Sequence, residues 1–192
     1  MLPSPDPDER DGDDQVSRSP TPRRPILIAL SIAIVVTAGV LLVANLARTG
    51  GDRVRLGDPA PEIVGTTLDG KPFRLSELRG QPVILNFWGP SCVPCRDEFP
   101  LLEAKQAQHA ADGLAIVGVL TDDPPAPAVD FVAKYGATWP TVEDPDKAAK
   151  TAYRVIGRPQ TYFVDASGVI RSIQIGELTD ADFERQYARI AP

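Results

Sequence analysis

The stretch that decides the fold is Pro82-Val-Ile-Leu-Asn-Phe-Trp-Gly-Pro-Ser-Cys-Val-Pro-Cys95. Residues 82–88 form a short apolar run with one polar interruption, Asn86, as expected of a central strand buried on both faces. Gly89 and Pro90 break that run, and a helical pattern follows from Val93 to about Ala111. Cys92 therefore stands where a buried strand turns into a helix. There the unpaired N–H groups and the dipole of the helix favour an anion, so the Cys92 thiolate is accessible at neutral pH. Cys95, one turn further, is shielded and placed to attack Cys92 once Cys92 has formed a mixed disulfide. Val93 and Pro94 set the geometry of the small ring that a bond between them closes.

These are the only two cysteines in the chain. A structural crosslink gains most from closing a long loop, and this pair closes almost none. Two inert core cysteines, or half of a metal site, are the alternatives. The single histidine, His109, leaves no Cys/His set for zinc. The chemistry of a dithiol calls for no cofactor and no metal.

Outward from the motif, residues 114–120 (LAIVGVL) read as a second buried strand. A proline-rich loop at 124–127 leads to a helix over 128–135, and a short helix covers 146–153. Strands at 161–165 and 169–175 are joined by the Ala166-Ser-Gly168 turn, and Thr179 caps a last helix over 180–190. Upstream, Asp69-Gly70 is a hairpin turn between 62–68 and 71–75, and 76–80 is one helical turn stopped by glycine. The order predicts an α/β fold: a mixed central sheet flanked by helices, with an N-terminal β-hairpin extension.

The whole chain is 43% apolar, but unevenly so. Residues 1–25 hold almost no apolar side chains and read as a disordered tail. Residues 26–47 (ILIALSIAIVVTAGVLLVANLA) are uncharged and long enough to cross the roughly 30 Å of a bilayer's hydrocarbon core. A buried core helix would show a polar face. A cleavable signal would be shorter and followed by a small-x-small site, which Asn45 and Leu46 interrupt. The expectation is an uncleaved single transmembrane anchor, a tether over 48–55 and a domain over 56–192. Arginines flank the span on both sides, so charge alone hardly orients it. The adjacent Arg23 and Arg24 favour the N-terminus inside, and a working cysteine pair favours the domain outside. The net charge of −6 resides in the domain, and no basic stripe interleaves with aromatics, so nucleic-acid binding is not expected.

From Leu56 on, the sequence resembles the TlpA/ResA-like branch of the thioredoxin family, membrane-tethered proteins with extracytoplasmic catalytic domains. The resemblance is carried by Gly57-Asp-Pro-Ala-Pro61, the Asp69-Gly70 hairpin, Leu85-Asn-Phe-Trp-Gly89, Cys92-x-x-Cys95 followed by Glu98-Phe-Pro100, Trp139-Pro140, and Gly157-Arg-Pro-Gln-Thr-Tyr-Phe-Val-Asp165. It implies a thioredoxin-like fold and a Cys92–Cys95 redox disulfide. Pro159 matches the family's cis-proline, whose loop lies beside the cysteines. Pro100 matches a proline within the active-site helix. Glu98 matches an acidic residue near the cysteines and is expected to handle the proton of Cys95, the alternative being a solvated helix glutamate. Arg158 would bring positive charge near Cys92 or lie solvated at the surface. Trp88 and Arg158 are the candidate substrate contacts.

Two departures stand out. The buried aspartate that many thioredoxins carry before the motif is Asn86 here, which cannot take a proton. Ser91 stands where tryptophan is common, a change that bears on partner recognition and not on thiol chemistry. His109 is expected to be solvated, and the pair Asp122-Asp123 reads as a polar loop, the alternative being a cation site.

The implied activity is thiol-disulfide exchange with protein substrates. By the resemblance, the substrate is apocytochrome c, and electrons come from a membrane thiol carrier of the CcdA/DsbD type. The same chemistry run in reverse would give an oxidant of secreted thiols. A peroxidase would need a Pro-x-x-x-Thr-x-x-Cys frame that neither Cys92 nor Cys95 has, and a non-catalytic tethered docking module would not need the thiols at all.

Overall fold

The computed structural model describes residues 54–192, together with Ile28, Ile32, Ile34, Val35, Val36, Thr37 and Gly39, which are helical. The expected tail, most of the expected membrane span and residues 48–53 lie outside the described residues. Among those described, no helix is long and apolar enough to cross a membrane. The chain divides into two units, Met1–Gly51 and Asp52–Pro192. Of the tether expected over 48–55 only Val54 and Arg55 are described: Val54 packs against the domain core, and the Arg55 N–H donates to Asp58 at 2.8 Å.

The domain opens with a hairpin, β1 (Val64–Thr66) and β2 (Pro72–Arg74), paired antiparallel. Asp69-Gly70 makes the turn as expected, with Gly70 at φ +82°, a conformation glycine adopts without steric cost. The central sheet contains β3 (Val83–Trp88), β4 (Ala115–Leu120), β5 (Thr141–Glu143), β6 (Gln160–Val164) and β7 (Ile170–Ile175), in the order β5-β4-β3-β6-β7. β3, β4 and β5 run parallel; β6 and β7 run antiparallel to their neighbours. Among the described residues of the domain, four α-helices complete it: α1 (Val93–Gln108), α2 (Pro125–Tyr135), α3 (Ala148–Ala152) and α4 (Asp180–Tyr187). This is the mixed α/β sheet that the sequence pattern predicts.

All six residues of β3 are buried, because both faces of the sheet are covered. Ile84 and Trp88 point into one apolar layer, with Phe99 and Leu102 of α1, Phe131 of α2 and Phe183 of α4. Leu85 and Phe87 point into the other, with Phe73 of β2, Leu75 just after it and Tyr153 after α3. The alternation is the period of two of a pleated strand. At about 1.5–3 kcal/mol for each large side chain taken from water, these two layers hold the sheet between them. Asn86 lies between Ile84 and Trp88, and so on the α1 side.

Several element ends differ from the sequence reading, and two differences have a plain physical cause. β5 was not expected: three residues are too few to show alternation, and β5 exists because β4 offers it a partner, Gly118 opposite Thr141. A Cβ on Gly118 would lie 2.7 Å from both Thr141 Oγ1 and Trp88 Nε1, so glycine lets the two strands and the indole close up. α2 begins at Pro125 rather than at 128, with Pro124 as its N-cap. Proline lacks an N–H that the first turn could not have paired in any case, so a proline-rich entry is compatible with helix.

Candidate active site

β3 ends at Trp88, and the turn Gly89-Pro90-Ser91 carries the chain to the head of α1. The Cys92 N–H donates to the Gly89 carbonyl at 3.1 Å and the Arg96 N–H to the Cys92 carbonyl at 3.2 Å, which makes Cys92 the N-cap of the helix. Its Sγ accepts from the Cys95 N–H at 3.3 Å, one of the donors a helix start leaves unpaired. Cys92 and Cys95 are bonded to each other, with Cα atoms 5.3 Å apart. Cys95 is fully buried and Cys92 is half-buried, so an incoming sulfur can reach only Cys92.

Glu98 lies one turn beyond Cys95 on the same buried face of α1. It is 1% exposed, and not the solvated glutamate that was the alternative. The Asn86 amide donates to Oε1 at 2.7 Å and the Leu178 N–H to Oε2 at 3.0 Å. Burial pushes its pKa up to about 7, with the Leu178 and Asn86 donors working against that rise. A carboxyl whose pKa burial raises to about 7 thus lies one turn beyond Cys95 on the same helix. Asn86, excluded as an acid, holds this one: its amide also donates to Thr161 Oγ1 at 3.0 Å, which fixes the group between β3, β6 and α1.

The Arg158–Pro159 peptide bond is cis. Arg158 is neither solvated nor free: its side chain is 16% exposed and its Nη1 donates to the Thr121 carbonyl at 2.6 Å and to Asp123 Oδ2 at 2.9 Å. Nη2 reaches Ser91 Oγ at 3.3 Å. Asp123 also accepts from the Ser91 N–H at 3.0 Å and from the Ser91 hydroxyl at 2.7 Å. Burial works to raise the Asp123 carboxyl, but the Ser91 hydroxyl, the Ser91 N–H and the Arg158 guanidinium outweigh it, and its pKa lies below the ordinary carboxylate value. The neighbouring Asp122 pairs with Lys147 at 2.9 Å and with Lys150, and its Oδ2 lies 4.0 Å from Arg158 Nε.

The polar loop expected at Asp122-Asp123 is therefore a junction of charges, which the sequence reading missed because its partners come from Ser91, Lys147, Lys150 and Arg158, scattered along the chain. His109, expected in solvent, is largely buried. Its ring lies 4.0 Å from that of Tyr187 and its Nδ1 is 3.1 Å from Asp112 Oδ2, because α4 packs over the end of α1. Trp88 is fully buried against Phe99 and Phe131, at ring separations of 4.7 and 5.3 Å. It supports the site from beneath and offers no surface to a substrate. The apolar surface lies elsewhere: Val93, next to Cys92, is 55% exposed, and Ile156, two residues before Arg158, is 78% exposed.

A bonded Cys-x-x-Cys pair at a helix head, beside a cis-proline and above a sheet of this order, can be compared with known proteins. The AhpC/TSA family model matches residues 56–173. The chain belongs to the AhpC/TSA family. Within that family it is similar to the thiol-disulfide oxidoreductase ResA of Geobacillus kaustophilus, 34% identical over 170 residues that cover 88% of this chain and 95% of the relative. Among solved structures it is similar to a thiol:disulfide interchange protein of the thioredoxin family from Chlorobium tepidum, with a TM-score of 0.64 and 28% identity over 71% of this chain and 97% of that one. It is similar also to a secreted Mycobacterium tuberculosis disulfide oxidoreductase homologous to E. coli DsbE, with a TM-score of 0.59 and 28% identity over 66% and 94% of the two chains. This AhpC/TSA member is a thiol-disulfide oxidoreductase with a thioredoxin-like fold, and its substrates are protein thiols and disulfides.

Proposed function

We propose that the domain works outside the cytoplasm as a reductase of protein disulfides, tethered by residues 26–47 and acting on the cysteine pair of apocytochrome c. The observation that carries the reading is the paired site itself: a half-buried Cys92 at the head of α1, with Cys95 and the carboxyl of Glu98 buried behind it on one helical face.

The steps follow from those positions. The Cys92 thiolate attacks one sulfur of a substrate disulfide, forms a mixed disulfide and releases the other substrate sulfur as a thiol. Cys95 gives its proton to Glu98 and attacks Cys92. The second substrate thiol leaves, and the Cys92–Cys95 disulfide remains, having passed two electrons to the substrate. A membrane thiol carrier of the CcdA/DsbD type would return those electrons.

Three features support this direction and place of action. The Arg158 guanidinium is bound to Asp123, so its charge is not free to stabilise the Cys92 thiolate, as a strong oxidant would require of it. Exposed Val93 and Ile156 give an extended polypeptide apolar surface on the two segments beside the sulfur. The resemblance to the TlpA/ResA-like branch supplies the cytochrome substrate and the outer face of the membrane.

Trapping tests it. Cys95→Ser, expressed in the whole cell, should hold its partner on Cys92 as a mixed disulfide, with apocytochrome c identified by mass spectrometry. Capture of only cytoplasmic proteins, or of nothing, would overturn the reading.

A further inference from the structure

Three segments that are far apart in sequence meet on one carboxylate. Asp123, from the loop between β4 and α2, accepts two hydrogen bonds from Ser91, the residue before Cys92, and one from Arg158, the residue before the cis-proline. Arg158 closes the triangle on Ser91 and is anchored to the Thr121 carbonyl. The backbone allows for this arrangement. A methyl at Gly89 would overlap both Arg158 Nη1 and Asp123 Oδ2, so the pair occupies the space a side chain there would fill. Asp122 takes a positive φ of 63° and pairs with Lys147 and Lys150, with Arg158 Nε 4.0 Å from its Oδ2, whereas Asp123 holds Ser91 and the nearer end of the Arg158 guanidinium, at 2.9 Å.

We infer that Asp123 is a positioning residue for the exchange reaction: it locks the Ser91–Cys92 segment to the Arg158–Pro159 loop and, by binding the Arg158 guanidinium, keeps that charge from acting on the Cys92 thiolate. The inference takes Cys92 as the attacking sulfur. Asp123 and Arg158 act as a balanced pair, so the loss of either partner alone unbalances the field at Cys92, in opposite directions. An unneutralised cation within a few ångströms lowers a thiol's pKa, and an unneutralised carboxylate raises it. The other charged groups on the elements around Cys92 are Arg96, Asp97 and Glu98 on α1 and Asp122 beside Asp123, and none of them changes in the variants below.

The test is the titration of Cys92 in the reduced protein, followed by alkylation rate with each cysteine identified by mass spectrometry, so that Cys92 and Cys95 are read separately. Asp123→Asn, which keeps an acceptor for the Ser91 N–H, should move the Cys92 midpoint down by about one unit. Arg158→Gln should move it up by a similar amount. The double variant should return it close to the parent value, which a residue with only a structural role would not do. A midpoint that stays put in both single variants, that moves the same way in both, or that fails to return in the double overturns the inference. If Asp123→Asn does not fold, Arg158→Gln alone still decides: an upward shift supports the pairing, and no shift or a downward one refutes it. Should the low midpoint prove to belong to Cys95, the assignment of the attacking sulfur fails, and that result is distinct from a Cys92 midpoint insensitive to both charges.

Discussion

A carboxyl group in the core weakens a fold once it ionises, and Glu98 gives that statement a pH range. Its pKa is raised from 4.5 to about 7 by burial, so the folded state binds its proton more tightly than the unfolded chain does. A raised pKa contributes stability that is fully present below about 4.5 and is lost as pH climbs through about 7. With 1.4 kcal/mol for each pKa unit, the full loss is about 3 kcal/mol. In oxidised protein, where neither cysteine titrates, Glu98→Gln should remove this dependence. The difference between the denaturant midpoints of the two proteins should change between pH 5 and pH 8, in the variant's favour as pH rises. A gap that is the same at both pH values would mean that Glu98 is not the buried acid the geometry makes it. The substitution is not free of cost at low pH, because a glutamine oxygen can satisfy either Asn86 or Leu178 but its amide meets the other as a donor facing a donor.

At the level of elements, the site depends on how closely loops can approach the end of β3. Gly89 and Gly157 both lie in loops of the active-site end, yet they differ in what surrounds them. Around Gly157 there is open space, whereas a Cβ at Gly89 would run into the Arg158–Asp123 pair. Neither has a positive φ, so the contrast is steric and not conformational. Gly89→Ala should cost about 1–3 kcal/mol and loosen the pair. Gly157→Ala should be neutral, or stabilising by about 0.4–1 kcal/mol through a less flexible unfolded chain. Urea midpoints compare the two, and equal effects would show that the space over Gly89 is not filled as described. The same contrast explains what the sequence revealed. The strand-to-helix step at Cys92, the Asp69-Gly70 hairpin and the Thr179 cap were legible because local residues decide them: Thr179 Oγ1 accepts from the Asp182 N–H, as a capping threonine does. β5 was not legible, since its three residues owe their conformation to β4. The roles of Asp123 and Ser91 were not legible either, because a charge's partners depend on which loops the topology brings together. Glu98 was visible as a candidate by its spacing from Cys95, but its burial under Leu178 comes from the far end of the chain.

For the whole domain, the direction of electron flow is a question about stability. The reduction potential of the Cys92–Cys95 pair measures how much more stable the folded domain is with the disulfide closed than open, relative to the unfolded chain, and about 30 mV corresponds to 1.4 kcal/mol. A strong oxidant owes its potential to a stabilised reduced form, through a thiolate favoured by its surroundings. Here the surroundings favour the thiolate weakly. The head of α1 contributes its dipole and the Cys95 N–H, but Arg158 is bound by Asp123 and Glu98, once ionised, adds negative charge on the buried side. The domain's net charge of −6 opposes a further anion in the same sense. The reduced form therefore gains little, and the oxidised form should be the more stable. Two measurements on the same protein check this together. The unfolding midpoint should be higher with the disulfide closed than open, and the potential against a dithiol buffer should fall nearer the roughly −270 mV of thioredoxin than the roughly −120 mV of DsbA. If instead the reduced domain is the more stable and the potential lies near the upper value, the site is built to oxidise thiols, and the reductase assignment gives way to its reverse.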